Sequence, residues 1–310
     1  MKTNLGEKKA AFITLTGRPS VGKSTLLNLI CGAKVSIVSA VPQTTRNAVR
    51  GILTRPEGQL VFVDTPGRHV SEKKLNKKLM DVADRALEDS DVVLYVLDAS
   101  RLPGPEEDAA ADRLKDCQNR MAAAINKTDA AGADTEKLIS FLRQKLPDLP
   151  PSRCFEISCR KKEGIEPLLA CLFEMSPVGD PLYPDEYYTD QDLSFRISEI
   201  IREKAMQRLR EELPHSIYVE VADTELRDAG GDHEERKRLW VRAFIITERE
   251  SQKGMIVGKG GEMIKAIGQA ARKELNSIFD WKVDLDLRVK TGRDWRHNDR
   301  ILKKITGTRE

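Results

Sequence analysis

Long apolar runs are missing from this 310-residue chain, and no stretch approaches the roughly 18 apolar residues that a membrane-spanning helix needs. The first ten residues, MKTNLGEKKA, have neither an apolar signal core nor the Arg- and Ser-rich texture of an organellar presequence. Cysteine is scarce and unpatterned. Cys31, Cys117, Cys154, Cys159 and Cys171 form no CxxC pair, and their odd number argues against a disulfide framework and for free thiols in a reducing compartment. Internal repeats and low-complexity tracts are absent as well. Net charge is small, a formal +3, so bulk charge alone does not point to nucleic acid. The expectation from these absences is a cytoplasmic, globular protein.

What is present fits two domains rather than one, because a chain this long exceeds an ordinary single core. Hydrophobic residues make up 40% and charged residues 33%. The charge is unevenly placed: from Arg249 to Glu310 there are 15 Lys and Arg against 9 Asp and Glu, and from Arg249 to Lys273 the count is 6 against 2. A basic segment on a near-neutral chain predicts a polyanion contact there.

The first half alternates short apolar strands (Ala11–Leu15, Gln59–Val63, Val92–Leu97, Met121–Ile125, Cys154–Ile157) with helices (Lys23–Cys31, Leu75–Leu87, Glu106–Cys117, Thr135–Lys145, Ile165–Phe173). Such alternation predicts a mainly parallel sheet with helices on both faces. The segment from Met175 to Asp190, MSPVGDPLYPDEYYTD, holds three prolines and three tyrosines and reads as a linker, since proline removes donors and fixes φ. Residues 1–176 are therefore assigned to one domain, 177–191 to the linker and 192–310 to a second domain. In the second half a helix is predicted over Asp192–Leu213, strands over Ser216–Ala222, Leu239–Thr247 and Trp281–Val289, and a last helix near Asp294–Ile305. Asp223–Lys237 reads as a solvated loop.

Three motifs carry nucleotide chemistry. Gly17-Arg18-Pro19-Ser20-Val21-Gly22-Lys23-Ser24-Thr25 matches GxxxxGK[ST] between a predicted strand and helix, the context in which backbone N–H groups cradle phosphates. Lys23 would neutralise the β and γ oxygens, and the Ser24 hydroxyl would ligate Mg²⁺. Asp64-Thr65-Pro66-Gly67 follows an apolar strand. It places a carboxylate where a metal is held and a flexible amide within reach of a γ-phosphate. Asn126-Lys127-Thr128-Asp129 follows another strand. The Asp129 carboxylate can accept from guanine N1–H and N2–H₂, donors that adenine lacks, while Asn126 can bond the base edge and brace the phosphate loop and the Lys127 stem can pack on the base. Ser158-Cys159-Arg160, by position alone, reads as a loop whose backbone N–H groups face guanine O6.

The second domain offers Gly258-Lys259-Gly260-Gly261 between two helical stretches, a GxxG loop of the kind that clamps a single-stranded nucleic-acid backbone. Arg249, Lys253, Lys259 and Lys265 would supply charge, and Met255, Ile256, Val257, Ile264 and Ile267 would form the core and part of a base-stacking groove. Arg293 and Arg296 are weaker candidates for phosphate contacts, and Trp281 and Trp295 read as core or capping residues. The predicted order helix–strand–strand–helix–helix–strand is the type II KH arrangement.

In order and spacing, GRPSVGKSTLLN, PQTTR (residues 42–46), DTPG, NKTD and SCR resemble the TrmE–Era group of GTPases, and EIIREKAMQRLREELPHSIYVEV and ERESQKGMIVGKGGEMIKAIG resemble the KH half of Era-like members. The resemblance covers residues 12–305. It implies an α/β P-loop GTPase domain followed by an α+β type II KH domain, with Mg²⁺ and with GTP and GDP as substrate and product. Thr44 and Thr45 would be switch threonines, and Thr45 the one that ligates Mg²⁺. Catalysis would rest on Lys23, Thr45 and Gly67. The resemblance further implies binding of the single-stranded 3′ end of small-subunit ribosomal RNA, a role in 30S subunit maturation, no DNA partner, and a cytoplasmic protein with peripheral inner-membrane association in some relatives. Three positions depart from the family. Cys159 stands where Ala is usual, Arg68 where an apolar residue is usual, and Ser20 where the family carries an Asn associated with potassium-assisted hydrolysis, so potassium activation does not carry over by residue. Two other readings exist: a constitutive RNA-binding protein whose nucleotide site is structural or very slow, and a P-loop nucleotide kinase, against which NKTD and the GxxG unit argue.

Overall fold

The computed structural model describes residues 7–39, 41, 44–67, 74–228 and 237–306. They form two compact units. The first comprises residues up to Ser36, Thr45–Asp190 and the segment from Thr306; the second comprises Ile37–Thr44 and Gln191–Ile305.

The first unit is built on a six-stranded sheet in the order β2–β3–β1–β4–β5–β6. Its strands are β1 Lys9–Thr16, β2 Val49–Arg55, β3 Gly58–Asp64, β4 Val92–Asp98, β5 Met121–Asn126 and β6 Cys154–Glu156. All pairings are parallel except β2 with β3. β3, β4 and β5 are buried at every position, which explains their unbroken apolar character: helices cover both faces. The helices are α1 Lys23–Cys31, α2 Lys74–Glu88, α3 Pro105–Leu114, α4 Thr135–Lys145 and α5 Ile165–Met175. Local chemistry sets their ends. Pro105 opens α3 and the Glu107 carboxylate accepts from the Gly104 N–H at 3.0 Å. Asp134 caps α4 by accepting from the Lys137 N–H at 3.1 Å.

Three features of the first unit depart from the sequence-based expectation. β2 was not predicted. Gly51 interrupts its pattern, and a Cβ there would lie 2.5 Å from Leu27 and 2.7 Å from Cys31, so the glycine serves the close approach of α1. The segment read as a linker packs within the first unit. The buried Gln59 amide accepts from the Leu182 and Tyr183 N–H groups at 2.8 Å and donates to the Tyr183 carbonyl at 2.9 Å, and the Ile52 N–H donates to the Tyr188 carbonyl. These bonds cover the edge of β2, which would otherwise present unpaired backbone. α3 is also shorter than expected and gives way to a 3₁₀ turn over Lys115–Arg120.

The second unit has α6 Leu193–Met206, β7 Tyr218–Asp228, β8 Lys237–Thr247, α7 Glu250–Val257, α8 Glu262–Ile278, β9 Lys282–Thr291 and α9 Asp299–Thr306, the last crossing into the first unit at Thr306. The sheet runs β7–β8–β9, antiparallel then parallel, in the expected type II KH order. α6 ends at Met206 rather than Leu213: Glu211 takes φ 55° and Leu209 turns into the core. Residues 223–228, read as loop, extend β7 beyond a bulge at Val221–Asp223, paired with the far end of β8. Ile197, Ile200, Ile201, Val241, Ile245, Ile256, Ile267 and Leu275 form the core. Trp295 is buried there, donating from its indole N–H to the Ser216 carbonyl at 3.2 Å.

Candidate nucleotide site and RNA-facing loop

The first loop lies between β1 and α1, where the sheet delivers its strand ends. Gly17 has φ 140°, and a Cβ on it would sit 2.3 Å from the Val96 carbonyl oxygen; Gly22 has φ 106°, and a Cβ there would meet the Asn126 amide nitrogen at 2.4 Å. Neither position tolerates a side chain, so the backbone itself forms the wall. Lys23 is buried, and its ammonium donates to the Gly17 and Arg18 carbonyls at 2.9 and 3.0 Å. Burial lowers its pKa to about 8, against the pull of Asp64. A bound phosphate would supply the missing counter-charge and hold the lysine protonated. Thr25 follows on the first turn of α1. Pro19 packs beneath Gly67, where a Cβ would approach the proline to 2.9 Å, so the two motif loops are in contact.

Asp64 at the end of β3 is fully buried. Its Oδ2 accepts from the hydroxyls of Ser24 at 2.6 Å and Ser36 at 2.8 Å, with Thr45 at 3.4 Å; Thr45 and Ser24 hydroxyls lie 3.2 Å apart. Burial pushes the Asp64 carboxyl above its usual range, more than Lys23 and the hydroxyls pull it down. Asp64 Oδ1 is buried without a hydrogen-bond partner among the described residues. An unsatisfied carboxylate oxygen beside two hydroxyls is a donor set of hard oxygens, which suits Mg²⁺. Ser24, Thr45 and Asp64 are the residues that would hold the ion. Of the two threonines, Thr45 faces this cluster, whereas the Thr44 hydroxyl donates to the Val41 carbonyl at 2.6 Å. Thr65 and Pro66 are buried, and the Thr65 hydroxyl bonds the Leu15 carbonyl at 2.8 Å, so Thr65 fixes the loop from behind. Arg68 lies outside the described residues.

The base-facing motif is braced onto the same loop. Asn126 donates from Nδ2 to the Val21 carbonyl at 2.9 Å and accepts at Oδ1 from the Cys159 N–H at 3.1 Å. Lys127 adopts φ 66° and donates to the Ser20 carbonyl at 2.9 Å. Ser20 itself has φ 63°, a conformation that asparagine tolerates better than serine. Sequence reasoning gave Ser158 only a backbone role. Its hydroxyl in fact donates to the Asp129 carboxylate at 2.6 Å and accepts from the Lys161 N–H at 3.0 Å. That bond lowers the Asp129 pKa and fixes the orientation of the carboxylate. Cys159 is held as a thiol, its pKa raised by burial to about 12. Arg160 is exposed at the rim. Ser36 was missed altogether; its signal is Asn28, whose side chain clasps the Val35 and Ser36 N–H groups and the Ser36 carbonyl at 2.7–2.8 Å.

The second loop is different in kind. Gly258, Gly260 and Gly261 have φ 74°, 59° and 81°, joining α7 to α8. Beside Gly260 and Gly261 an added Cβ would meet nothing within 4 Å. Lys259 and Lys265 are exposed, Ile264 is half-buried, and Lys253 pairs with Glu250 at 2.7 Å. Arg249 caps α7 from an exposed position. Of the apolar set expected to form the core and part of a groove, Ile256 takes the core role only: it is fully buried among core residues and so cannot line a groove. Its neighbour Met255 is 60% exposed instead. Arg296 is engaged by Glu248 at 3.2 Å and by the His215 carbonyl.

Residues 12–127 match the family profile described as a 50S ribosome-binding GTPase, and residues 212–296 match that of a KH domain. GTPase Era of Treponema denticola is 50% identical over 297 residues, which cover 96% of this chain and 99% of that protein. A crystal structure of Aquifex aeolicus Era bound to GDP and AlF4⁻ matches with a TM-score of 0.88 at 35% identity, covering 96% of this chain and 99% of the other. A structure of Era with MgGDPNP and nucleotides 1506–1542 of 16S ribosomal RNA matches with the same TM-score and identity over 97% and 99%.

Proposed function

The chain belongs to the GTPase Era family, and from that premise we propose that its hydrolysis of GTP governs when the KH unit holds the single-stranded 3′ end of small-subunit ribosomal RNA during 30S subunit maturation in the cytoplasm. The nucleotide would be bound by Gly17–Thr25, Asp64–Gly67, Asn126, Lys127, Asp129 and Ser158–Arg160, with Mg²⁺ at Ser24, Thr45 and Asp64. Lys23 and the Gly67 amide would stabilise charge on the transferred phosphoryl group, so the rate comes from positioning and electrostatics. RNA would lie along Gly258–Gly261, with Lys259, Lys265, Arg249, Lys253 and Ile264 around it. Among the described residues no helix is long and apolar enough to cross a membrane.

One observation carries the coupling. Val38 and Thr44 belong with the second unit. There the buried Arg202 of α6 donates to the Thr44 carbonyl at 2.5 Å, and the buried Glu203 accepts from the Val38 N–H at 2.8 Å. Thr45, the next residue, has its hydroxyl in the cluster around Asp64. A threonine drawn toward Mg²⁺ and a γ-phosphate therefore pulls on a peptide held by two buried charges of the KH unit. Each charge is itself fixed by an ion pair, Arg202 with Glu199 and Glu203 with Lys204, so the peptide is held by rigid anchors and the pull is transmitted rather than absorbed.

The test is GTP turnover and RNA affinity of the full chain, with an oligonucleotide matching the 3′ end of small-subunit rRNA, its DNA counterpart, and isolated 30S and 50S subunits. Faster turnover with the RNA or 30S, and RNA affinity that differs between GDP and a non-hydrolysable GTP analogue, is the expected result. Equal affinities in both nucleotide states would sink the coupling. Turnover that stays undetectable with every RNA and subunit would favour the constitutive binder.

A further inference from the structure

Outside the nucleotide motifs the first unit buries two carboxylates, Asp98 and Glu107, with no assigned task. Asp98, the last residue of β4, is 4% exposed. Its Oδ2 accepts from the Lys127 ammonium at 2.6 Å and lies 3.6 Å from the Arg18 guanidinium, and Glu107 of α3 holds the other side of Arg18 at 2.8 Å. Ser100 orients the carboxylate, donating to Oδ1 from its hydroxyl at 2.5 Å and its N–H at 3.0 Å.

We propose that Asp98 is a positioning residue for guanine recognition, acting through Lys127 to hold that side chain along the plane where the base stacks. Three observations point the same way. Lys127 sits in the left-handed region at φ 66°, which costs a non-glycine residue on the order of 1 kcal/mol and persists only when the surroundings over-determine it. Its ammonium has two anchors, the Ser20 carbonyl and Asp98, and only Asp98 is charged. Asp98 in turn is desolvated by burial yet keeps a carboxyl pKa below the usual range, because the bonds from Lys127 and Ser100 outweigh burial, so it serves as a fixed negative anchor at neutral pH. With the ammonium pinned at its far end, the four-carbon stem of Lys127 is stretched between the NKTD turn and the phosphate loop. A lysine released from Asp98 would recover rotamer freedom that binding a base must then remove. Arg18 keeps Glu107 as a partner in either case.

This inference rests on the assignment of Lys127 to the base, and a double-mutant cycle separates the two ideas. The affinity of the full-length protein for GDP, with kcat and KM for GTP, is measured for wild type, Asp98→Asn, Lys127→Met and the double variant. Methionine keeps an apolar stem but removes the ammonium. Asp98→Asn is expected to weaken GDP binding by about fivefold to tenfold, the loss of one charge-assisted bond, with KM raised and kcat within about twofold of wild type. In the Lys127→Met background the same change is expected to have no further effect. Losses that multiply in the double variant overturn the proposal and assign Asp98 to the phosphate loop through Arg18. A Lys127→Met protein with wild-type GDP affinity overturns the proposal, because the pinned ammonium then contributes nothing, and a Lys127→Ala protein, which loses the stem as well, with wild-type affinity overturns the base-site assignment itself. Ser100→Ala, at an exposed residue, covers the case in which Asp98→Asn does not fold: a twofold to threefold loss that vanishes in the Lys127→Met background is expected, and no loss in wild type sinks the idea.

Discussion

Two glycine loops in this molecule are proposed to face phosphates, and they are made in opposite ways. The loop Gly17–Gly22 is walled: a Cβ at either end would run into a carbonyl oxygen or a side-chain amide, and Asn126 and Lys127 are bonded to its carbonyls. The loop Gly258–Gly261 is open on the side of Gly260 and Gly261, and an exposed Met255 stands nearby. The difference follows the ligand. A nucleotide is small and must be enclosed, so discrimination comes from buried groups that would be left unpaired by the wrong base. An RNA strand is long and enters from the side, so its loop needs bare backbone and nearby lysines rather than walls. The first loop should therefore fail through its buried partners, and the second only through what is added to its surface.

The largest effect is expected in the walled loop. Lys23→Ala removes a buried ammonium that no other described side chain can replace. GTP affinity should fall by at least about 100-fold, as for a lost charge-assisted contact in a dehydrated site, while RNA affinity measured without nucleotide stays unchanged. Filter binding of both ligands to one preparation checks this. If RNA affinity fell in parallel, the loops would not be separate sites.

Gly260→Asp is the counterpart. The space there is open, so the domain should fold, at a cost of about 1–2 kcal/mol for a non-glycine residue at φ 59°. A carboxylate beside the strand's phosphates should weaken RNA binding by about tenfold or more. Basal GTP turnover should stay at the wild-type rate and lose only its stimulation by RNA.

The asymmetry between the loops also governs what could be read in the sequence. The turn of the walled loop was legible from its spacing, because Gly17 and Gly22 stand at positive φ against neighbours that leave no room for a Cβ. The supports around it were not. Asp98 and Ser36 belong to no spaced pattern, and their partners lie 29 and 28 residues away. The Ser158 hydroxyl was overlooked because its loop was identified by position rather than by side-chain chemistry. In the second unit the GxxG turn and the strand order were legible from periodicity and glycine. Which apolar residue faces outward was not: Met255 and Ile256 are adjacent and alike in hydrophobicity, and only the rotation of α7 on the sheet decides between them. The strap over 177–190 misled for a related reason, since its prolines exclude a regular helix without excluding a packed, irregular one.

A third, smaller effect tests the wall around the base. Ser158→Ala removes the bond that lowers the Asp129 pKa. A carboxylate with a depressed pKa accepts from guanine at neutral pH and loses that ability only as pH falls through its own value. Without Ser158 that value rises, so the acid limb of the GDP-binding profile should move to higher pH. At neutral pH the loss of orientation should cost about fivefold in affinity. An unchanged acid limb would mean that a different group sets it.

The smallest effect separates the metal from the nucleotide. Ser36 is clasped by Asn28 and donates to Asp64 Oδ2, which turns the unpartnered Oδ1 to the remaining side of the carboxylate. Ser36→Ala keeps the clasp, because all three Asn28 contacts are to backbone. It leaves Ser24 and Thr45 to orient Asp64. GDP affinity in EDTA should therefore be unchanged, while the Mg²⁺ concentration that half-slows GDP release should rise by about twofold to fivefold, the scale of one neutral hydrogen bond. Asn28→Ala should add a loss of fold stability that Ser36→Ala lacks, since it strips partners from two N–H groups and a carbonyl at once. A Mg²⁺ requirement unchanged in Ser36→Ala would place Asp64 under the control of Ser24 and Thr45 alone, and would make the walled loop self-sufficient in setting its metal site.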